Sequence, residues 1–408
     1  MDNRKYWLWL TMVFGIGSRR IWELMSLFET PDEAYYELRS GSSAARLYGK
    51  EQEAVSSTSV EAAELVLAEC AKKGIKTVSY SSEDYPPQLR HIMNPPAILY
   101  YVGDICCLTG TRTVTTVGAR KASDYSLRVT DRICSELAAG GIVIVSGFAV
   151  GVDITSHLAA ASQGRPTAAV LGCGVDVDYP RENFRFRDEI LDAGGVFISE
   201  YPPGTAPHAG NFPKRNRILS ALGRAAVVFE ASEKSGSLIT ASLAAEQGRD
   251  VFCMPPADIF SSAYSGNAAL LREGAVPFFG AEDIASVFGY GTVLYEEVRS
   301  DAYSLLDKEE PPLRVHKHRV KAASALETYI SADEDEELYE VKPDTADIQL
   351  EGVQKQIADA LSEGALHADV LAQRLSMDSS ELMTELTEME LLGVIKALPG
   401  KIYMKSSS

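Results

Sequence analysis

The chain has 408 residues, 46% apolar and 24% charged, an ordinary globular composition with length for two or three domains. Its formal net charge is −18, so no global positive field draws it to a polyanion, and any nucleic-acid site must be a local patch. The six cysteines (Cys70, Cys106, Cys107, Cys134, Cys173, Cys253) are scattered without a CxxC pair, which argues against a disulfide framework or zinc site and fits a reducing cytoplasm.

Residues 1–75 read as a helical domain. The apolar run from Tyr6 to Gly17, YWLWLTMVFGIG, is too short to span a bilayer. It lacks a small-residue cleavage site and continues into the helical period of GSRRIWELMSLF, so a buried amphipathic helix is expected. No other run approaches membrane length, and no membrane partner is expected. Helix, Gly15-Ile16-Gly17 turn and second helix resemble a SAM-like or helix-hairpin-helix module, whose turn amides can meet a DNA phosphate. A plain helical-bundle turn is the other reading.

Residues 76–289 read as one α/β domain. Its start, 76–110, is a bridge of two strands (77–80 and 97–103) around a turn and a short helix. Strands are then expected at 113–117, 142–145, 167–171, 196–198, 225–229 and 251–253, with helices between them. Near-continuous apolar strands alternating with helices indicate a mostly parallel, Rossmann-like sheet covered on both faces. Residues 290–350 carry a basic cluster (Arg314 to Lys321) and an acidic one (Asp333 to Glu337), the pattern of a charged linker. Residues 351–408 carry three helices and a hairpin, a winged helix. Its would-be recognition helix holds Asp378, Glu381, Glu385, Glu388 and Glu390 and no cation, so a phosphate-lined groove would repel it. A protein contact or an intramolecular lid suits it better.

Chemistry concentrates at the strand ends. After 113–117 come Arg120 and Lys121, in a turn that is not GxGxxG, so no dinucleotide cofactor is indicated. Contact to phosphate and a solvated surface pair are both open for these two cations. After 142–145 Gly147 and Gly151 permit a tight turn and close backbone approach to a ligand. Asp153 suits a cap or a structural βα turn, and His157 a packed histidine. Asp176 and Asp178 lack a third ligand and read as loop acids, so no metal is expected; Tyr179 beside them offers a ring to a base. Phe212, Lys214, Arg215, Asn216 and Arg217 open a helix with three cations and an aromatic, which suits single-stranded nucleic acid. The alternative, a salt-bridged helix start, needs carboxylates that this stretch lacks. Ser235-Gly236-Ser237 opens another helix, a second place for an anion. It also resembles the Gly-rich turn of nucleotide-cleaving enzymes, but no catalytic carboxylate is evident there.

The ordered motifs VGARKASDYS, IVIVSGFAVGVDITSH, VLGCGVDVDYPREN, ISEYPPGTAP, NFPKRNRIL, VVFEASEKSGSLITA, AAEQGRDVF and GNAALLREGA resemble the DNA processing protein A (DprA, also called Smf) family over roughly residues 80–285. The resemblance implies an extended Rossmann domain that binds single-stranded DNA without known catalysis or cofactor. It implies protection of incoming strands and loading of the RecA recombinase in natural transformation, commonly as a homodimer. It places DNA contacts on Arg120, Lys121, Phe212, Arg215, Asn216 and Arg217, with the turns at Gly147, Gly151 and Ser235-Gly236-Ser237 lining the same groove. Four departures stand out: Ala119 in place of the usual serine, Gly223 where serine is usual, Pro255-Pro256 in place of proline-glycine, and Pro207-His208-Ala209-Gly210 without a lysine. The competing classes are a nucleotide or nucleoside-phosphate hydrolase on the same sheet and a pure interaction scaffold.

Overall fold

The computed structural model describes residues 3–41, 45–289 and segments of 352–405. They fall in two compact units, one holding the described residues up to Gly289 and the other those from Gly352. The linker expected at 290–350 lies outside the described residues.

The first unit opens with five helices: α1 (Arg4–Phe14), α2 (Arg19–Met25), α3 (Pro31–Ser40), α4 (Gly49–Ser57) and α5 (Val60–Lys72). Their ends follow local chemistry. Ser18 and Thr30 accept from the backbone N–H groups of Arg20 and Glu33, and Pro31 occupies the first turn of α3. The run expected as a buried helix is α1, where Trp7, Leu8, Trp9, Leu10 and Thr11 are all buried. So many consecutive buried positions mean that α1 is covered on several faces rather than along one stripe. Its indoles keep hydrogen-bond partners: Trp7 Nε1 donates to Ser81 Oγ (2.7 Å) and Trp9 Nε1 to Thr58 O (2.8 Å).

A nine-stranded sheet follows: β1 (Lys76–Ser79), β2 (Ile98–Gly103), β3 (Arg112–Val117), β4 (Ile142–Ser146), β5 (Thr167–Leu171), β6 (Val196–Ser199), β7 (Ala225–Val228), β8 (Asp250–Cys253) and β9 (Val276–Pro277). Its order is β1-β2-β6-β5-β4-β3-β7-β8-β9. All neighbours from β6 to β9 are parallel, whereas β2 pairs antiparallel with β6 (Tyr100 opposite Ser199) and with β1. The bridge expected at 76–110 is thus an antiparallel extension of the sheet. Side chains alternate between two cores. Ile144, Ala169 and Leu171 join α6 (Asp124–Ala139), α7 (Val152–Ser162) and α9 (Arg187–Asp192), with Leu137, Leu158 and Ile190. Val145, Ala168 and Val170 face α10 (Asn211–Leu222) and α11 (Gly236–Glu246), with Ile218, Leu219, Leu222 and Ala241.

The order reverses at β3, whose neighbours are β4 and β7, so loops leaving the C-terminal ends of the parallel strands border a switch point. Hydroxyls on β3 fix the far end of α10: Thr113 Oγ1 donates to Leu222 O (2.5 Å) and Thr115 Oγ1 to Leu219 O (2.6 Å). This contact explains Gly223, since a Cβ there would lie 2.5 Å from Thr115 N. The serine usual in the resembling family does not fit here without movement.

The second unit contains α14 (Gly352–Leu361), β10 (Leu366–His367), α15 (Ala368–Leu375), β11 (Ile395–Leu398) and β12 (Ile402–Lys405). Ile357, Leu361, Leu371, Leu382, Leu386, Met389, Ile395 and Tyr403 form its core. The expected hairpin is present, with Ala397 opposite Tyr403, and β10 adds a third strand on the other side of β12. The acidic positions Asp378, Glu381, Glu388 and Glu390 lie outside the described residues.

Candidate nucleic-acid interface

The segments that follow the parallel strands leave one edge of the sheet, among them, in spatial order, those after β6, β5, β4, β3 and β7. The turn after β4 presses against the turn after β3. Gly151 has φ +79, and a Cβ on it would lie 2.4 Å from the carbonyl oxygens of Ala119 and Arg120. Only glycine tolerates both the conformation and the approach. Arg120 and Lys121 are exposed on the rim so formed.

The same turn is tied from below. Asp153, in the first turn of α7, accepts from Gly147 N (3.1 Å) and Ala149 N (3.3 Å). It therefore serves the βα turn rather than capping its own helix. Phe148 between them is buried at φ +62, and its carbonyl accepts from Asn183 Nδ2 (2.8 Å). Beneath Gly147 lies the guanidinium of Arg215, which donates to Gly147 O (3.2 Å) and Val170 O. Burial raises the Asp153 carboxyl to about 6, opposed by the neighbouring Arg215 charge. Burial likewise lowers Arg215, opposed by Asp153.

Helix geometry divides the basic knot of α10, because successive positions turn by about 100°. Lys214 points outward and is exposed, while Arg215 and Asn216 are buried. Arg217 turns away again, its Nη2 lying 2.7 and 2.6 Å from the two carboxylate oxygens of Glu200. Glu200 is only 5% exposed; burial raises its pKa, and Arg217 counters that shift. The expectation that the start of α10 lacks carboxylates for a salt bridge is therefore corrected. The salt-bridging carboxylate comes from elsewhere in the chain, Glu200 after β6, while Asp153 on α7 acts on Arg215 through its charge. Phe212 is half-buried over Gly172, with its ring centroid 5.6 Å from that of Tyr179.

Ser235 caps α11, its Oγ accepting from Ser237 N (3.3 Å), with Gly236 exposed and Ser237 buried. The nearby strand-end carboxylate is engaged: Glu230 Oε2 accepts from Ser123 N (3.0 Å) and Ser123 Oγ (2.7 Å). Asp176 is also engaged, accepting from Gly204 N (2.7 Å) and Lys73 Nζ (2.9 Å). Among the described residues no group of three His, Cys, Asp or Glu side chains is placed to hold a metal ion, and no helix is long and apolar enough to cross a membrane. His157 is buried, with Nδ1 2.7 Å from Thr167 Oγ1. Since that hydroxyl donates to Ile144 O, Nδ1 carries the proton, and burial lowers the imidazole pKa to about 3. It is a core side chain.

The structure thus brings Arg120, Gly147, Gly151 and Arg215 together and places Phe212 and Lys214 on the neighbouring helix turn. The Ser235-Gly236-Ser237 turn lies along the same edge after β7. Glu200 is the site residue that sequence reasoning missed. Its only signal was a carboxylate directly after an apolar strand, where burial demands a partner.

The family model described as DNA recombination-mediator protein A matches residues 76–289, more than half of the chain. The chain belongs to the DNA recombination-mediator protein A family. A second model, the DprA winged helix domain, matches residues 341–401. The DNA processing protein DprA of Bacillus subtilis is 39% identical over 232 residues, 57% of this chain and 77% of that protein. Protein Smf of Escherichia coli is 31% identical over 319 residues, 78% of this chain and 74% of that protein. The X-ray structure of DNA processing protein A from Streptococcus pneumoniae superposes with a TM-score of 0.52 at 31% identity, covering 67% of this chain and 98% of that one.

Proposed function

We propose that this chain binds single-stranded DNA along the C-terminal edge of its parallel sheet, in the cytoplasm and without catalysis. As a homodimer it would pass the strand to the RecA recombinase in natural transformation. The observation that carries the binding reading is the exposure of Arg120, Lys121 and Lys214 on one edge, next to the paired rings of Phe212 and Tyr179, in a chain of net charge −18. Cations meet phosphates and a ring stacks on a base, which suits a strand of any sequence. The turns at Gly147, Gly151 and Ser235-Gly236-Ser237 line the path, while Arg215, Asn216 and Arg217 support it from behind. Engagement of Glu230 by Ser123 speaks against a nucleotide hydrolase. RecA loading and dimerisation rest on family membership. The exposed apolar side chains Ile259, Phe260 and Phe279 also support self-association.

Anisotropy of a labelled oligo-dT, against the matching duplex at two salt concentrations, tests the reading. The strand is expected to bind more tightly than the duplex. In Arg120→Ser/Lys214→Ser the salt slope should fall by about 1.4, at about 0.7 for each phosphate no longer neutralised. Equal affinity for duplex, or an unchanged slope in the double variant, overturns it.

A further inference from the structure

The Gly15-Ile16-Gly17 turn is built like a phosphate-binding hairpin turn, yet it rests on a guanidinium of its own chain. The Gly17 backbone lies against the guanidinium of Arg217, which Glu200 holds through both of its carboxylate oxygens. Gly17 has φ +69, and a Cβ on it would lie 2.9 Å from Arg217 Nη2, so the turn lies directly against the guanidinium. Three segments distant in sequence meet at one ion pair, Arg217 with Glu200: the N-terminal helices, the end of β6 and the second turn of α10. Glu200 takes both of its bonds from Arg217 Nη2, while Nη1 of the same guanidinium is buried without a partner among the described residues. The first turn of α10 has lighter ties: Tyr201 Oη donates to Asn211 O at 3.4 Å, and Phe212 rests on Gly172.

We infer that Glu200 is a positioning residue. Together with Gly17 and Arg217 it forms a clamp through which the N-terminal helices set the first turn of α10, and with it Phe212 and Lys214. The N-terminal module thus governs strand affinity without touching the strand. The clamp stands on the geometry alone; its effect on affinity rests on the single-strand reading above.

The test uses the full chain with Gly17→Ala and with Glu200→Gln, and Glu200→Asp as the charge-retaining control. Two quantities are read: hydrogen exchange of the peptide spanning 211–217, and oligo-dT affinity as a function of salt. Exchange over 211–217 should quicken at least fivefold in Gly17→Ala and Glu200→Gln, and less in Glu200→Asp. Affinity should fall severalfold at an unchanged salt slope, because every cation facing the phosphates is retained. Lys214→Ser, by contrast, should lower the slope by about 0.7. Wild-type exchange over 211–217 in Gly17→Ala overturns the clamp, and this variant removes no charge and stays informative if Glu200→Gln fails to fold. Faster exchange with unchanged affinity overturns the positioning role. If wild type binds no strand, the single-strand reading fails, while exchange alone still decides the clamp.

Discussion

Arg215→Ala should damage the fold rather than the salt-dependent part of strand binding. Arg215 is 6% exposed and Asp153 is 7% exposed, and the guanidinium also satisfies the carbonyls of Gly147 and Val170. Truncation leaves Asp153 buried without its countercharge and removes the donor to both carbonyls. Breaking one side of a buried pair costs roughly 3–5 kcal/mol, a large share of the roughly 5–15 kcal/mol that keeps a typical protein folded. With a urea m-value of about 3 kcal/mol/M, the midpoint followed by circular dichroism should drop by about 1–1.7 M. Lys214→Ala, one residue earlier but exposed, should stay within about 0.5 kcal/mol of wild type. Asp153→Asn/Arg215→Met, which removes both charges, should recover much of the loss. The reasoning is refuted if Arg215→Ala unfolds at the wild-type midpoint and lowers the salt slope as Lys214→Ala does.

Two pH effects of opposite sign follow from the buried groups. Asp153 keeps its proton up to about pH 6 in the fold, against about 3.9 unfolded, so its contribution to stability falls as pH rises from 4 to 6. The change is about 3 kcal/mol at 1.36 kcal/mol per unit, and urea curves of wild type and Asp153→Asn that stay parallel from pH 4 to 7 would rule it out. His157, with its folded pKa near 3, contributes stability that is complete above about pH 6.5 and is lost as pH falls towards 3. Nitrogen NMR should show a neutral Nδ1–H ring still present at pH 5, and an imidazole titrating near 6 in the folded protein would contradict it. Gly151→Ala, forced against the carbonyls of Ala119 and Arg120, should lose about 1–3 kcal/mol in the same unfolding assay. Phe212→Ala should weaken oligo-dT binding by about 1–3 kcal/mol while leaving the salt slope unchanged, as removal of one stacking ring requires.

Strand and helix positions between 111 and 289 are properties of local pattern, because apolar continuity and glycine punctuation act within a few residues. The strand expected at 167–171 is Thr167–Leu171, and that expected at 225–229 is Ala225–Val228. Residues 76–110 read only as a bridge, since nothing local specifies that β2 pairs antiparallel with β6, nearly a hundred residues away. The third strand of the C-terminal unit, Leu366–His367, escapes for the same reason, being two residues long and defined by its partner.

The sequence by itself determined the fold class, the family and the candidate positions for a site: which turns carry glycine and where cations and rings gather. Only the tertiary structure decided what the cations do. Lys214, Arg215 and Arg217 look equivalent as letters. One faces water, one lies under Gly147 opposite Asp153, and one is held by Glu200 with Gly17 packed against it. A charge is assigned to solvent or to a partner by burial and by the groups facing it, and those come from segments far away in the chain.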